Sequence, residues 1–231
     1  MYAWLKTYNP FIGCRFGCIY CVSSFQKIIR CFAKMRGDKC RGCQSFRPHE
    51  HPERLKRPIP SAETVFVIGG GDISFARPEF VRRVIDKVKE SLIRRPKREF
   101  YFQSKNPACF RQYLKEFPKP NTILVTTLET NRDSGYRAVS KAPVPSKRYK
   151  AFAAIDWPRK IVTIEPIMDF DPDVFIKWIM DINPEAVWIG YNSRPKNVVL
   201  PEPPISKTRD FIAELRNRGI DVREKDMERA Q

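Results

Sequence analysis

The chain has 231 residues, 42% of them hydrophobic, enough to fill the core of one large domain. It has no apolar run of the roughly eighteen residues that a membrane-crossing helix needs, and its opening segment lacks the basic stretch and apolar core of an export signal, so a single cytoplasmic domain over 1–231 is expected. The 43 Lys and Arg against 26 Asp and Glu leave a net charge of +17, a field that draws polyanions; nucleic acid is the leading partner class, and a merely solvated basic surface is the alternative.

Apolar and β-branched runs predict strands, and helical periodicity predicts the segments between them. The first strand is expected at 3–8, followed by "GCRFGCIYC" at 13–21 and a Cys/His-rich insertion at 31–57. A second strand at 64–68 runs into "GGGD", residues 69–72. Pro78 opens a helix with Phe80, Val81, Val84, Ile85, Val88 and Leu92 on one face, which stops before Pro96. The third strand, 99–103, leads to Asn106 and Pro107, an N-cap and first-turn proline for a short helix carrying Phe110, Tyr113 and Leu114. After the fourth strand, 122–127, the connection 138–156 has no clear period. The fifth strand, 160–164, precedes Asp171 and Pro172, which repeat the capping device before Val174, Phe175, Trp178 and Ile179; the sixth strand lies at 186–189. A proline-rich connection at 200–206 lets the C-terminal segment 206–231 fold back over the barrel, with a helix at 207–218 capped by Ser206 and stopped by Gly219.

Strands alternating with helices imply an α/β fold with a parallel sheet and right-handed crossovers. Six units are too few for a closed eight-stranded barrel, which leaves an open partial barrel or a doubly wound sheet. In both, function gathers at the carboxyl ends of the strands. The polar residues there are Gly69, Gly70, Gly71 and Asp72, then Ser104 and Lys105, Glu129, Glu165, and Tyr191 with Asn192. Each is also compatible with an ordinary strand-to-helix turn.

Seven cysteines are an odd number, and six of them fall between Cys14 and Cys43 in spacings that suit metal ligation in a reducing compartment better than disulfides. Cluster iron is held by thiolate, and a 4Fe-4S cube takes four ligands, so the three cysteines Cys14, Cys18 and Cys21 leave one iron open. An open coordination position is what makes a metal site catalytic rather than structural. Zinc ribbons also use close cysteines. The C-x3-C-x2-C spacing, with Tyr20 ahead of Cys21 and the first predicted strand before it, resembles the signature of the radical S-adenosylmethionine (SAM) superfamily.

That resemblance implies a 4Fe-4S cluster on Cys14, Cys18 and Cys21, SAM as cofactor, an electron donor such as ferredoxin or flavodoxin, and a partial (β/α)6 TIM-like barrel with a cysteine-rich insertion after the first strand. It also implies SAM contacts. "GGGD" stands where the superfamily has "GGE" against the methionine amino group; Asp72 departs from that Glu, so contact is expected from the backbone carbonyls of Gly69, Gly70 and Gly71. Ser104 and Lys105 stand where the carboxylate is met and Glu129 where the ribose is met, and Glu165 completes the candidate cofactor set. "NPFIGC" at 9–14, "QSKNP" at 103–107 and "IEPIM" at 164–168 are similar to a short phage- and archaeal-associated radical SAM group of unassigned substrate.

Cys31, Cys40 and Cys43, with His49 and His51 after them, offer ligands for a Cys3His zinc site or an auxiliary iron-sulfur cluster. In the alternative, Cys31 packs as a small hydrophobe and Cys40 and Cys43 are plain thiols. Cys109 is expected to be structural. Arg54, Lys56, Arg57, Lys105, Arg132, Lys141, Lys147, Arg148 and Lys150, interleaved with Tyr136 and Tyr149, favour a nucleic-acid substrate, with cations on phosphates and rings on bases. Two competing readings are a glycyl-radical activating enzyme acting on a protein, and a non-catalytic nucleic-acid-binding module whose metals only hold the fold.

Overall fold

The computed structural model describes residues 6–35, 37, 39–225 and 227. The first strand expected at 3–8 is β1, Lys6–Tyr8, with 3–5 outside the described residues, as are 226 and 228–231 of the expected tail. A short β2, Phe11–Ile12, precedes α1, Ile19–Val22, α2, Phe25–Met35, and α3, Arg41–Ser45; β3, His49–Glu50, closes the insertion by pairing antiparallel with β2. The repeating part follows: β4 Thr64–Val67, α4 Pro78–Arg94, β5 Glu99–Gln103, β6 Thr122–Thr127, α5 Tyr136–Val139, α6 Pro145–Ala153, β7 Lys160–Ile164, α7 Pro172–Ile182, β8 Ala186–Gly190, α8 Ile205–Asn217 and β9 Asp221–Lys225. A 3-10 segment, Pro107–Tyr113, takes the place of a helix between β5 and β6.

Among the described residues the main sheet has seven parallel strands in the order β1-β4-β5-β6-β7-β8-β9, so β1 and β9 are its edges and the barrel is open. Six of these strands are the predicted ones. The seventh, β9, buries only Val222 and carries four polar residues, so it lacks the alternation that marks a strand in sequence.

Alternate strand residues face opposite sides of the sheet. Val65, Val67, Phe100, Phe102, Leu124, Val162, Ile164, Val187 and Ile189 pack outward against Val81, Val84 and Ile85 of α4, Phe175 and Ile179 of α7, and Phe211 and Leu215 of α8. Tyr101, Ile123, Val125, Ile161 and Ala186 fill the inside, with Phe66 and Trp188 beside them. The β-branched and aromatic character of both sets is what holds the strands extended and half of each in the core.

The caps follow backbone geometry more than side-chain chemistry. Pro78 and Pro172 sit in the first turns of α4 and α7 as expected. Asn106 and Asp171 occupy N-cap positions without a side-chain cap bond, because the Asp171 carboxylate is drawn to Arg132, its Oδ1 lying 2.6 Å from Arg132 Nη2. Ser206 is not a cap: Pro204 takes that position and Ser206 lies inside α8, while Gly219 ends the segment at φ +83. The connection 138–156 contains α6 and the end of α5.

Candidate active site at the barrel mouth

The three-cysteine loop leaves β2 through Gly13, whose φ of +101 and close approach to the Arg47 carbonyl exclude a side chain. Gly13 bridges Gly71: the Gly13 N–H donates to the Gly70 carbonyl at 3.1 Å and the Asp72 N–H to the Gly13 carbonyl at 3.2 Å. The glycine turn and the cysteine loop are therefore one hydrogen-bonded unit. Ile68, which enters the turn, holds φ +59, a left-handed conformation costly for a β-branched residue and buried here beneath the site.

Cys14, Cys18 and Cys21 all open onto one cavity of about 260 Å³. Cys18 is buried with its Sγ 3.1 Å from Ser140 Oγ, and the Phe16 N–H lies 3.4 Å from Cys14 Sγ. Burial, with the Asp72 charge behind it, pushes the Cys14 thiol well above its ordinary value, and burial pushes Cys21 up to about 11. Thiolates in such a place call for a positive partner.

The cavity wall also includes Gly69, Gly71, Asp72, Lys105 and Glu165 from the sequence-derived set. Glu165 Oε1 is buried with no hydrogen-bond partner among the described residues, while its Oε2 lies 3.4 Å from Lys225 Nζ. A second, smaller cavity lined by Tyr191, Asn192 and Lys225 shares Tyr20 and Glu165 with the first.

The remaining candidates, and the carboxylate of Asp72, are turned away from the cavity, and their roles change accordingly. Asp72 turns its carboxylate inward, accepting from Ser104 Oγ at 2.7 Å, from the Lys105 N–H at 2.9 Å and from the Ser74 N–H at 3.0 Å. Ser104 is fully buried and spends its hydroxyl on Asp72 and the Asn106 N–H, so it does not reach the cavity. Gly70 packs against Ile12 and Asn9.

Glu129 is also fully buried and is the centre of an ion network rather than a surface contact. It accepts from Lys105 Nζ, from the Tyr20 hydroxyl and, at 3.0 Å, from the Tyr136 hydroxyl. Arg148 Nη2 lies 2.8 Å from its Oε2, an ionic contact without hydrogen-bond alignment. Burial would push the Glu129 carboxyl up, but Arg148 and Lys105 outweigh it and hold it well below the usual carboxylate range. The network fixes Lys105 and Tyr20 at the cavity wall.

Sequence reading missed Gln103, Thr127 and Thr163, inward-facing residues at the ends of β5, β6 and β7 that line the cavity. Thr127 Oγ1 accepts from Gln103 Nε2 at 3.0 Å and from Thr163 Oγ1 at 2.9 Å. The usable signal was a polar residue in the inward register near the end of a predicted strand.

The insertion brings Cys40, Cys43, His49 and His51 together, with ligand atoms all within 4.8 Å of one another. Cys31 is exposed on α2 in a separate groove, outside this group, so a Cys3His set is not what the chain assembles. Cys109 is half-buried, and burial pushes its thiol up, as befits a structural cysteine.

The basic candidates divide. Arg148 is buried against Glu129, Lys105 is bound to Glu129, and Arg132 is clamped by Asp169 and Asp171. Tyr136 is buried, and Tyr149 has one ring face stacked on Trp178 at 4.5 Å and its hydroxyl on Asp181. Lys56, Arg57, Lys141, Lys147 and Lys150 remain exposed. No helix among the described residues is long and apolar enough to cross a membrane.

No protein-family model matches the chain, and no curated protein matches it. Solved structures do. Streptococcus suis SuiB bound to its precursor peptide SuiA aligns with TM-score 0.60 at 10% identity over 96% of this chain and 48% of that one, and SuiB bound to S-adenosylmethionine with TM-score 0.61 at 9% identity over 96% and 50%. A radical SAM methyltransferase from Sphaerobacter thermophilus aligns with TM-score 0.60 at 14% identity over 98% of this chain and 67% of that one. The chain thus spans about half the length of the SuiB chains it matches. The chain has the partial-barrel fold of these solved structures, with its three-cysteine loop at the mouth.

Proposed function

We propose that the chain is a radical SAM enzyme. The observation that carries this reading is that three thiols of one loop and the glycine turn bonded to that loop face a single cavity at the carboxyl ends of the strands. The donor set fits a cluster: Cys14, Cys18 and Cys21 are three thiols on one cavity wall, and thiolate is the ligand that holds cluster iron. Cys14, Cys18 and Cys21 would hold a 4Fe-4S cluster, and Gly69, Gly71, Lys105 and Glu165 would line the place for SAM. When bound, these groups supply one-electron cleavage of the sulfonium to a 5′-deoxyadenosyl radical.

The chain's own contribution is positional. Gly69 and Gly71 let a ligand approach the backbone, and Glu165 Oε1 offers an acceptor to an amine or hydroxyl. Lys105, fixed by Glu129, presents a positive charge to a carboxylate. Phe16, Phe46 and Phe66 make part of the same cavity wall apolar.

For the substrate we favour a polyanion, modified or repaired as nucleic acid, on the strength of the +17 charge and the exposed Lys56, Arg57, Lys141, Lys147 and Lys150. A peptide or protein substrate is the second reading, favoured by two observations: the alignment with SuiB bound to a precursor peptide, and the internal commitment of Arg132, Arg148, Tyr136 and Tyr149. The test is 5′-deoxyadenosine release by anaerobically reconstituted, dithionite-reduced protein given SAM, with tRNA, DNA or peptide added in separate arms. Release that needs Cys18 supports the chemistry, and the polymer that stimulates it identifies the substrate class. An intact cluster that releases no 5′-deoxyadenosine in any arm refutes the proposal.

A further inference from the structure

The insertion carries a second ligand group that the proposed chemistry does not use. Cys43 Sγ lies 3.2 Å from His51 Nε2 and 3.4 Å from His49 Nε2, and Cys40 Sγ lies 3.2 Å from His49 Nε2. Around one tetrahedral zinc, with Zn–S of about 2.3 Å and Zn–N of about 2.0–2.1 Å, adjacent S and N ligands stand about 3.5 Å apart. The sulfurs and nitrogens are interleaved at that spacing. A two-iron cluster with two cysteines on one iron and two histidines on the other would instead separate the sulfurs from the nitrogens.

The outer contacts also have the form of a built site. Both histidines turn Nε2 to the common centre, while His49 Nδ1 meets the Arg47 carbonyl at 2.6 Å and His51 Nδ1 meets the Glu53 carboxylate at 2.7 Å. Such partners fix the tautomer and ring orientation of metal-bound histidines. Gly42, between the two cysteines, is required for the same reason: a Cβ there would stand 2.7 Å from the His49 ring.

We propose that Cys40, Cys43, His49 and His51 bind one zinc ion as a closed structural site that holds the insertion against the cysteine loop. Four protein ligands leave no open position for chemistry. Its place in the fold gives it leverage. His49 is paired with Ile12 in the β2–β3 ladder, the His51 N–H donates to the Pro10 carbonyl at 2.7 Å, and Cys14, Ile12, Cys40, Cys43 and Phe46 share one apolar cluster. Asn9, next to Pro10, accepts the Gly70 N–H at 2.7 Å, so the ligand strand is tied to both walls of the active-site cavity. The inference goes beyond the SAM reading and does not depend on it.

The experiment is metal analysis of the full chain and its variants by mass spectrometry, with zinc affinity read by chelator competition. A Cys14→Ala/Cys18→Ala/Cys21→Ala variant is expected to lose iron and keep one zinc per chain, which separates this site from the cluster reading. Cys31→Ala is expected to keep zinc, and Cys43→Ala to lose it. Because Cys43→Ala could fail to fold, the exposed Glu53 gives a milder arm: Glu53→Ala is expected to weaken zinc binding by about 10- to 100-fold with the fold retained. Cobalt substituted into the triple variant is expected to show the visible bands of a tetrahedral thiolate site. A triple variant without zinc, iron held by these four residues, zinc lost in Cys31→Ala, or unchanged affinity in Glu53→Ala would each overturn the proposal.

Discussion

Replacing Arg148 with Met asks whether the buried ion network holds the barrel mouth together. The Arg148 and Glu129 side chains are both 0% exposed and stand 2.8 Å apart. Removing one partner of such a pair strands the other charge in a water-poor site at a cost of about 3–5 kcal/mol. Lys105 still faces Glu129 with its side chain 15% exposed, which places the expected loss at the lower end, about 3 kcal/mol. For a chain of this length that is a fall in Tm of about 6–12 °C. The double variant Arg148→Met/Glu129→Gln removes the stranded charge, keeps an acceptor for Tyr20 and Tyr136, and is expected to recover most of the loss. Acid provides an independent reading. The Glu129 carboxyl is held below its unfolded value of about 4.3, so its contribution is complete above that pH and is lost as pH falls further. In Arg148→Met the folded carboxyl moves back toward the ordinary range, so the stability lost between about pH 7 and pH 3, measured by urea unfolding, becomes smaller than in the parent chain. A Tm for Arg148→Met within about 2 °C of the parent, or a double variant no more stable than the single one, would refute the argument.

Three further outcomes are expected. Cys18→Ala abolishes the broad visible absorbance of the anaerobically reconstituted protein and its 5′-deoxyadenosine release, and a fully retained spectrum counts against a cluster on this loop. Gly71→Ala places a Cβ 2.6 Å from the Gly13 carbonyl oxygen and 2.8 Å from its nitrogen, so it destabilises by about 1–3 kcal/mol and loosens iron retention; a variant with parental Tm and iron content contradicts the coupling of turn and loop. Nucleic-acid affinity falls steeply with salt, with a log–log slope of about 0.7–0.9 per phosphate neutralised, and weakens further in a Lys147→Ala/Lys150→Ala variant; a flat salt response moves the substrate to the peptide class.

The cysteine loop was legible because its information is local. Cys14, Cys18 and Cys21 lie within eight residues, with Cys18 at the N-cap of α1 and its carbonyl accepting the Cys21 N–H at 2.9 Å, so sequence nearness alone keeps them together. The glycine turn was legible for the same reason. Asp72 was legible only in part: its departure from the familiar Glu was visible, but its bonds to Ser104 and Lys105 depend on β4 and β5 lying side by side. Glu129 was placed just past a strand end, but its part in a buried ion network was not legible, since nothing in sequence reveals that Arg148, on α6, meets it. The second ligand group shows the same boundary. Composition brought Cys31, Cys40, Cys43, His49 and His51 to notice, yet Cys31 projects from α2 away from the other four.

By itself, then, the sequence determined six of the seven strands of the main sheet, their parallel alternation with helices and the ligand spacing of the motifs, because dihedral preference, hydrophobic period and ligand spacing act over a few residues. Only the tertiary structure decided which polar groups face the cavity and which are spent on one another. Strand register and the burial of charged side chains are set by contacts between residues distant along the chain, as between Glu129 and Lys105, Arg148 or Tyr20, and such pairings carry no local signature.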